Sequence, residues 1–372
     1  MELLRLVQSQ VCLGAPLPWG VRDEAGVLLL ARGQVVVDED QLQALLRRGA
    51  CVDLREVRAA ARAAQSQEAR PANLFDQWEK MLWRLDRLLK SLADHGFPAR
   101  IDEFAASLVA LIERDPDIGI FLSVRKDRPR MMLYGLTHSL HTALLCCLMA
   151  RRLGWSAART QSLVKAALTM NVAMLDLQGR LAAQGVPAMP PQLEMVAQHP
   201  QQAVELLEAA GIDDAEWLQA VAEHHERPGG GGYPSARADP CEAARALRLA
   251  DVFMARITPR SSRPAISTQD AARELFKDDA GGPLAMALIK ELGIYPPGDF
   301  VQLKSGERAV VVRRGDSAST PIAASITDRS GMPVVHTTRR DTACQEFAIV
   351  AALPDKSLAA RLLPERLYGL PA

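Results

Sequence analysis

The stretch that decides this chain runs His224-His225-Glu226-Arg227-Pro228-Gly229-Gly230-Gly231-Gly232-Tyr233-Pro234. Two adjacent imidazoles and a carboxylate are potential metal ligands, and four glycines before a stiff Tyr-Pro pair form a loop suited to close backbone approach. A lone histidine is more often a satisfied core residue than a ligand, so its neighbours decide. His138 lies in Thr137-His138-Ser139, His199 in His199-Pro200 and Asp251 in Ala250-Asp251, all on stretches with helical patterning.

Around these motifs the pattern is helical from Asn73 to Gly293, with apolar residues returning every three or four positions. Leu82, Leu85, Leu88, Leu89 and Leu92 form one such stripe, and Phe104, Leu108, Leu111 and Ile112 another. His138 shares a face with Leu145 and Met149 and is expected to point inward, while His141 reads as a core residue. Before this region, short strands are expected near Val21, at Val27-Leu30 and at Gly33-Val37. A helix follows over Gln41-Arg48, capped by Asp38 or Asp40 and ended by Gly49. Residues 57 to 72, rich in Ala, Arg and Gln, read as a solvated helix or a flexible connector. After Pro296 the pattern changes to strands at Phe300-Leu303, Ala309-Val312, Ile322-Ile326 and Pro333-Val335, separated by Gly-containing turns. The chain therefore reads as mainly α. It has a small N-terminal β-rich domain (1–55), a linker (56–72), a helical domain (73–295) and a small C-terminal β-sheet or barrel (296–372).

Composition sets the frame. The 372 residues are 48% hydrophobic and 24% charged, and 44 basic side chains balance 44 acidic ones. No global field draws in nucleic acid or an anionic membrane, so neither partner is expected. Apolar runs such as Thr142-Ala150 are short of a membrane span, and the start of the chain lacks the character of a signal peptide. A cytoplasmic location is expected. The six cysteines have no Cys-x-x-Cys spacing, and Cys146-Cys147 fall in an apolar helical run as core thiols, so disulfides are not expected.

From about Pro71 to Gly315 the chain resembles the HD-GYP family, bacterial HD-type metal-dependent phosphohydrolases that hydrolyse cyclic diguanylate. The resemblance rests on His224-His225-Glu226 with Gly232-Tyr233-Pro234, on Thr137-His138-Ser139 and His199-Pro200, and on the Arg245-Asp251 helix. Leu292-Gly293-Ile294-Tyr295-Pro296-Pro297-Gly298 and Ser305-Gly306-Glu307 add to it. It implies an HD-type helical bundle. It also implies that His199, His224 and His225 are ligands of one metal position, with His138 and Asp251 remnants of another.

The departures matter as much. Where the family carries its His-Asp pair, in Leu-Leu-His-Asp-Ile-Gly-Lys, this chain has Leu168-Thr169-Met170-Asn171-Val172-Ala173-Met174. In the family the Asp bridges two ions. A neutral Asn amide is a poor bridge, and a thioether does not suit hard or borderline divalent ions. Met174 replaces a Lys thought to meet the substrate phosphate. Tyr134 stands where some members carry a Glu ligand, and Gly229 replaces an Asp.

The resemblance thus implies a degenerate member with no intact catalytic set. It leaves room for one divalent ion (Fe, Mn or Zn) on three imidazoles and leads to no expectation of a dinuclear centre. Cyclic diguanylate and a GGDEF-domain diguanylate cyclase are the partners it suggests, with Gly232, Tyr233 and Pro234 as a substrate or partner loop, and an oligomer is compatible with it. The alternative is a working phosphodiesterase, acting on cyclic diguanylate or pGpG through a residual metal site. On either view the glycine run is also open to reading as a loosened loop.

Overall fold

The computed structural model describes residues 3–5, 11, 17–36, 38–58, 73–125, 131–353 and 363–369. The chain divides into two compact units, Met1–Asn73 and Leu74–Ala372. Most of the Ala/Arg/Gln connector, residues 59–72, lies outside the described residues.

In the first unit four short antiparallel strands, β1 (Leu3–Arg5), β2 (Val21–Arg22), β3 (Leu28–Leu30) and β4 (Cys51–Asp53), form a sheet in the order β1-β4-β2-β3. Helix α1 (Glu39–Arg47) begins at Asp38, whose carboxylate accepts from Gln41 N at 2.8 Å. Of the two candidate caps, Asp38 is therefore the one used, because it keeps the extended backbone an N-cap needs while Asp40 is already helical. Leu42 and Leu45 of this helix join Trp19, Val21, Val36 and Val52 in a small core. Within the expected Gly33–Val37 strand, Val35 makes only an isolated bridge.

The second unit is a helical body carrying a five-stranded sheet. Its helices are α2 (Leu74–Lys90), α3 (Phe97–Arg114), α4 (Pro116–Val124), α5 (Tyr134–Arg152), α6 (Ala157–Thr169) and α7 (Leu175–Ala183). They continue with α8 (Pro190–Ala209), α9 (Ala215–Glu223), α10 (Glu242–Ile257), α11 (Thr268–Asp278) and α12 (Pro283–Leu292), with a short α13 (Pro364–Leu367) near the end. Helix α5 is the axis of the bundle and packs on α6, α10 and α12. By length and composition Met131–Arg152 is apolar enough to cross a bilayer, but 78% of that window is buried inside the protein, so it is a core helix. The expected core thiols Cys146 and Cys147 lie on it, fully buried and free.

The C-terminal strands are β5 (Phe300–Leu303), β6 (Arg308–Arg313), β7 (Ile322–Thr327), β8 (Pro333–Asp341) and β9 (Ile349–Ala352), in the order β8-β7-β6-β5-β9. This is an open antiparallel sheet, which decides between the sheet and the barrel of the sequence reading. Strand alternation sends Phe300, Val310, Val312, Ala324 and Ile326 into the helical core. Val301, Leu303, Ala309, Val311 and Ala323 go to the other face, with Tyr295, Phe347 and Ile349 packed beside them.

Charged groups fasten the sheet to the helices. Arg314 donates through Nε to Asp117 at 2.6 Å and through Nη1 to Glu291 at 2.8 Å. Asp117 follows Pro116 in the first turn of α4, where Asp115 caps the helix by accepting from the backbone N–H groups of Asp117 and Ile118. Burial pushes the Asp117 carboxyl above its ordinary pKa, against the pull of Arg314.

Candidate metal centre

Two helices supply the site's imidazoles, and a proline inside one and the end of the other explain its chemistry. Pro200 sits inside α8 and has no N–H to give to the carbonyl of Val196, four residues earlier. That carbonyl instead takes a hydrogen bond from His199 Nδ1 at 2.6 Å. Helix α9 ends at Glu223 with His224 as its C-cap, so the last carbonyls of the helix need outside donors. Val221 O takes one from His224 Nδ1, again at 2.6 Å. A carbonyl can only accept, so both histidines carry their proton on Nδ1 and present bare Nε2 lone pairs.

Those two Nε2 atoms face each other at 3.1 Å. Two lone pairs at that distance repel unless a cation lies between them. Two nitrogens bound to one tetrahedral ion at about 2.0–2.1 Å stand roughly 3.3 Å apart. His225 completes the cluster, for the ligand atoms of His199, His224 and His225 lie within 4.8 Å of one another. The hydrogen bonds to Val196 and Val221 are the outer contacts that fix ring orientation and tautomer around a metal. This donor set therefore fits one divalent ion, held by three neutral imidazoles. Burial lowers all three imidazole pKa values, that of His199 to about 3 with the neighbouring His224 charge adding to the effect. Neutral imidazole is the form that binds a metal.

His138 and Asp251 are arranged differently. Both are buried, and His138 Nε2 lies 2.6 Å from Asp251 Oδ1, so the Nε2 of His138 and one of the two Asp251 oxygens are engaged with each other. Burial alone would raise the Asp251 carboxyl, but the His138 hydrogen bond and charge outweigh it and hold the pKa low. The Tyr134 ring stacks on His138 at 5.4 Å and 12°, and its hydroxyl accepts from Arg260 Nη2 at 2.7 Å. Met170 is fully buried at the end of α6, with Asn171 beside it, and Asn171 Oδ1 has no hydrogen-bond partner among the described residues. The short helical turn that follows, Val172–Met174, packs against α8. A second ion does not fit as the first does: the donors there are a thioether, a neutral amide and a carboxylate already engaged by His138.

The glycine loop is built rather than loosened. Gly229, Gly230 and Gly231 all take left-handed backbone, with φ of 83°, 91° and 79°. A Cβ on Gly232 would stand 2.5 Å from Glu226 Cα and 2.6 Å from His225 O. The Tyr233 ring turns back onto the site, stacked on His225 at 4.5 Å and 25° and edge-on to His199 at 6.5 Å. Burial accordingly raises its hydroxyl pKa. Glu226 braces the loop by accepting from Ser235 N at 2.7 Å and Arg237 N at 2.9 Å, and Glu223 accepts from Cys241 N at 2.7 Å. Glu223 and Arg260 were not legible as site residues, because their partners Cys241 and Tyr134 lie 18 and 126 residues away.

Comparison with known proteins agrees with this architecture. An HD domain family model matches residues 125–280. The cyclic di-GMP phosphodiesterase PA4108 of Pseudomonas aeruginosa is 25% identical over 284 residues, covering 74% of this chain and 67% of that protein. Bd1817, an HDGYP protein from Bdellovibrio bacteriovorus, superposes with a TM-score of 0.50 at 15% identity, covering 77% of this chain and 98% of that one.

Proposed function

We propose that this chain, an HD-GYP domain protein, binds cyclic diguanylate as a signalling module, with one divalent ion on His199, His224 and His225 and little or no hydrolysis. The observation that carries the reading is the division of the ligand set. Three imidazoles, two of them with tautomers fixed by backbone carbonyls, converge on one point, while His138 and Asp251 engage each other and Asn171 brings a neutral oxygen. Two-metal phosphodiester hydrolysis needs an anionic group to hold two cations roughly 3.5–4 Å apart and to neutralise them, and Asn171 cannot do either. An ion in the trihistidine pocket would supply Lewis acidity at a single point. Cyclic diguanylate is taken as the ligand because the phosphodiesterase from Pseudomonas aeruginosa is named for it.

The chain's own residues have defined parts in this reading. Val196 O and Val221 O orient two ligands. Tyr233 covers His225 and limits water at its face. Arg260, held against Tyr134, is a cation beside the His138 position, where phosphate charge would be met in the absence of a Lys at Met174. A protein partner of the diguanylate-cyclase type would meet the exposed rim from Pro234 to Ala238 rather than the Tyr233 ring, which is committed to His225.

The same Nε2 pairing favours a second reading, hydrolysis of cyclic diguanylate or pGpG through the single ion, and one experiment separates the two. Protein loaded with manganese or iron should bind cyclic diguanylate saturably while converting it far more slowly than about one per second, the lower end of ordinary enzyme rates. Sustained turnover at or above that rate would establish the second reading. Failure to bind the nucleotide at all would remove both.

A further inference from the structure

Away from the metal centre, α2 and α3 form an open pocket of about 260 Å³ lined by Arg84, Arg87, Ser91, Arg100, Glu103 and Phe104. Neither helix carries a residue of the trihistidine cluster. We propose that this cavity is a second binding site, taking the phosphate of a nucleoside 5′-phosphate.

The arginines are held in three different ways. Arg100 is fixed: Nη1 donates to Ser91 Oγ and Nη2 to Ser91 O, both at 2.9 Å, where α2 ends. Its Nε is buried and has no acceptor among the described residues. Arg84 lies over the Phe104 ring and meets Glu103 only at 3.7 Å, with the Glu103 side chain 78% exposed. An exposed pair of that length contributes little, so a dianion can displace it. Arg87 makes no ion pair among the described residues. Three guanidinium groups thus meet two carboxylates at this pocket, Glu103 and, at 4.0 Å from Arg100 Nη1, the exposed Asp94, and the planar guanidinium fork matches phosphate oxygens two at a time.

Size and surroundings set the ligand class. The cavity is smaller than the roughly 300 Å³ at which whole-ligand pockets begin, so it suits a head group rather than a dinucleotide. Nearby acids interrupt any extended basic face: Asp86 pairs with Lys90 and Asp102 with Lys165. A long polyanion would meet these carboxylates as well as the arginines. Trp83, one of the few exposed large aromatic side chains, precedes Arg87 by one helical turn on the same face, where a base can stack on it.

The test is calorimetric titration of the full chain with 5′-GMP, guanosine and inorganic phosphate, with chelator present so that the metal centre does not contribute. The expected result is saturable binding of 5′-GMP, weakened at least tenfold by Arg87→Ala and by Arg84→Ala, and changed less than twofold by the control Lys80→Ala. Guanosine should not bind, and Trp83→Ala should bring 5′-GMP down to the affinity of inorganic phosphate. Retained affinity in both arginine variants would overturn the site, as would loss of binding on adding chelator. Equal binding of 5′-GMP and inorganic phosphate in the wild type would overturn the nucleoside assignment. Tighter capture of single-stranded oligonucleotide or anionic vesicles would overturn the small-ligand class. Arg87 is exposed and makes no ion pair among the described residues, so Arg87→Ala should melt as the wild type does.

Discussion

Replacing Gly232 by Ala is the most specific test of the loop geometry. The new Cβ would meet Glu226 Cα at 2.5 Å, His225 O at 2.6 Å and Arg227 N at 2.7 Å, all backbone atoms of the segment that carries a proposed ligand. Ordinary contact begins at 3.4 Å, so the two strands of the loop must part by almost an ångström. No flexible side chain can absorb that movement. Overpacking of this kind costs about 1–3 kcal/mol, and at the upper end the Tyr233 ring lifts from His225. Gly229→Ala supplies the control. Nothing lies within 4 Å of its Cβ, but its φ of 83° is left-handed, which costs about 1–2 kcal/mol without moving the ligands. Thermal melting and metal affinity should be measured on both. Both variants should melt lower than the wild type, at roughly 2–4 °C per kcal/mol, whereas only Gly232→Ala should weaken metal retention, by tenfold or more. Equal metal affinity in the two variants would refute the close approach of the loop to His225.

Other outcomes follow from the same contacts. Tyr233→Ala should lower the melting temperature, since it removes a stacked partner worth about 0.5–1.5 kcal/mol beyond its buried area; unchanged stability would return Tyr233 to the role of a partner anchor. Because burial pulls the folded pKa of His199 to about 3, from 6.5 in the free side chain, the unfolded chain takes up more protons below pH 6.5. The stability this contributes is complete above pH 6.5 and is lost as pH falls towards 3, at about 1.4 kcal/mol per pH unit for this imidazole. Urea unfolding of chelator-treated protein at pH 7.5 and pH 5 should therefore differ by about 2 kcal/mol from His199 alone, and the difference should shrink in His199→Gln. Arg314→Ala leaves the buried Asp117 without its cation and should cost about 3 kcal/mol, whereas Arg313→Ala, with that side chain 54% exposed, should cost less than about 1 kcal/mol; equal effects in thermal melting would show that the Asp117 contact does not fasten the sheet.

The sequence was most legible where the signal is local. Apolar periodicity located the helices from Leu74 to Leu292, and the Asp38 cap and Gly49 stop bounded α1 to within two residues. The His-Pro and His-His pairs were legible as candidate ligands because each is a contiguous motif. Contacts that close over long separations left no such mark: Arg260 with Tyr134, and Arg314 with Asp117 at 197 residues. Strand β9 was missed because four residues, three of them exposed, carry no alternation to read. The glycine run was ambiguous for a physical reason. Composition gives flexibility, and only the backbone angles and the 2.5 Å approach reveal that these residues are required. Tyr233 likewise reads as an exposed tip until its ring is seen on His225.

Metal content per chain tests the central claim most directly. Protein purified without chelator and then equilibrated with manganese, iron or zinc should hold about one ion by elemental analysis, as three imidazoles allow, and His224→Ala should lose it. Restoring the bridging pair with Met170→His and Asn171→Asp should raise the content towards two as Asp251 is drawn from His138 to a second ion. Two ions per chain in the unaltered protein, or none that His224→Ala can remove, would contradict the account.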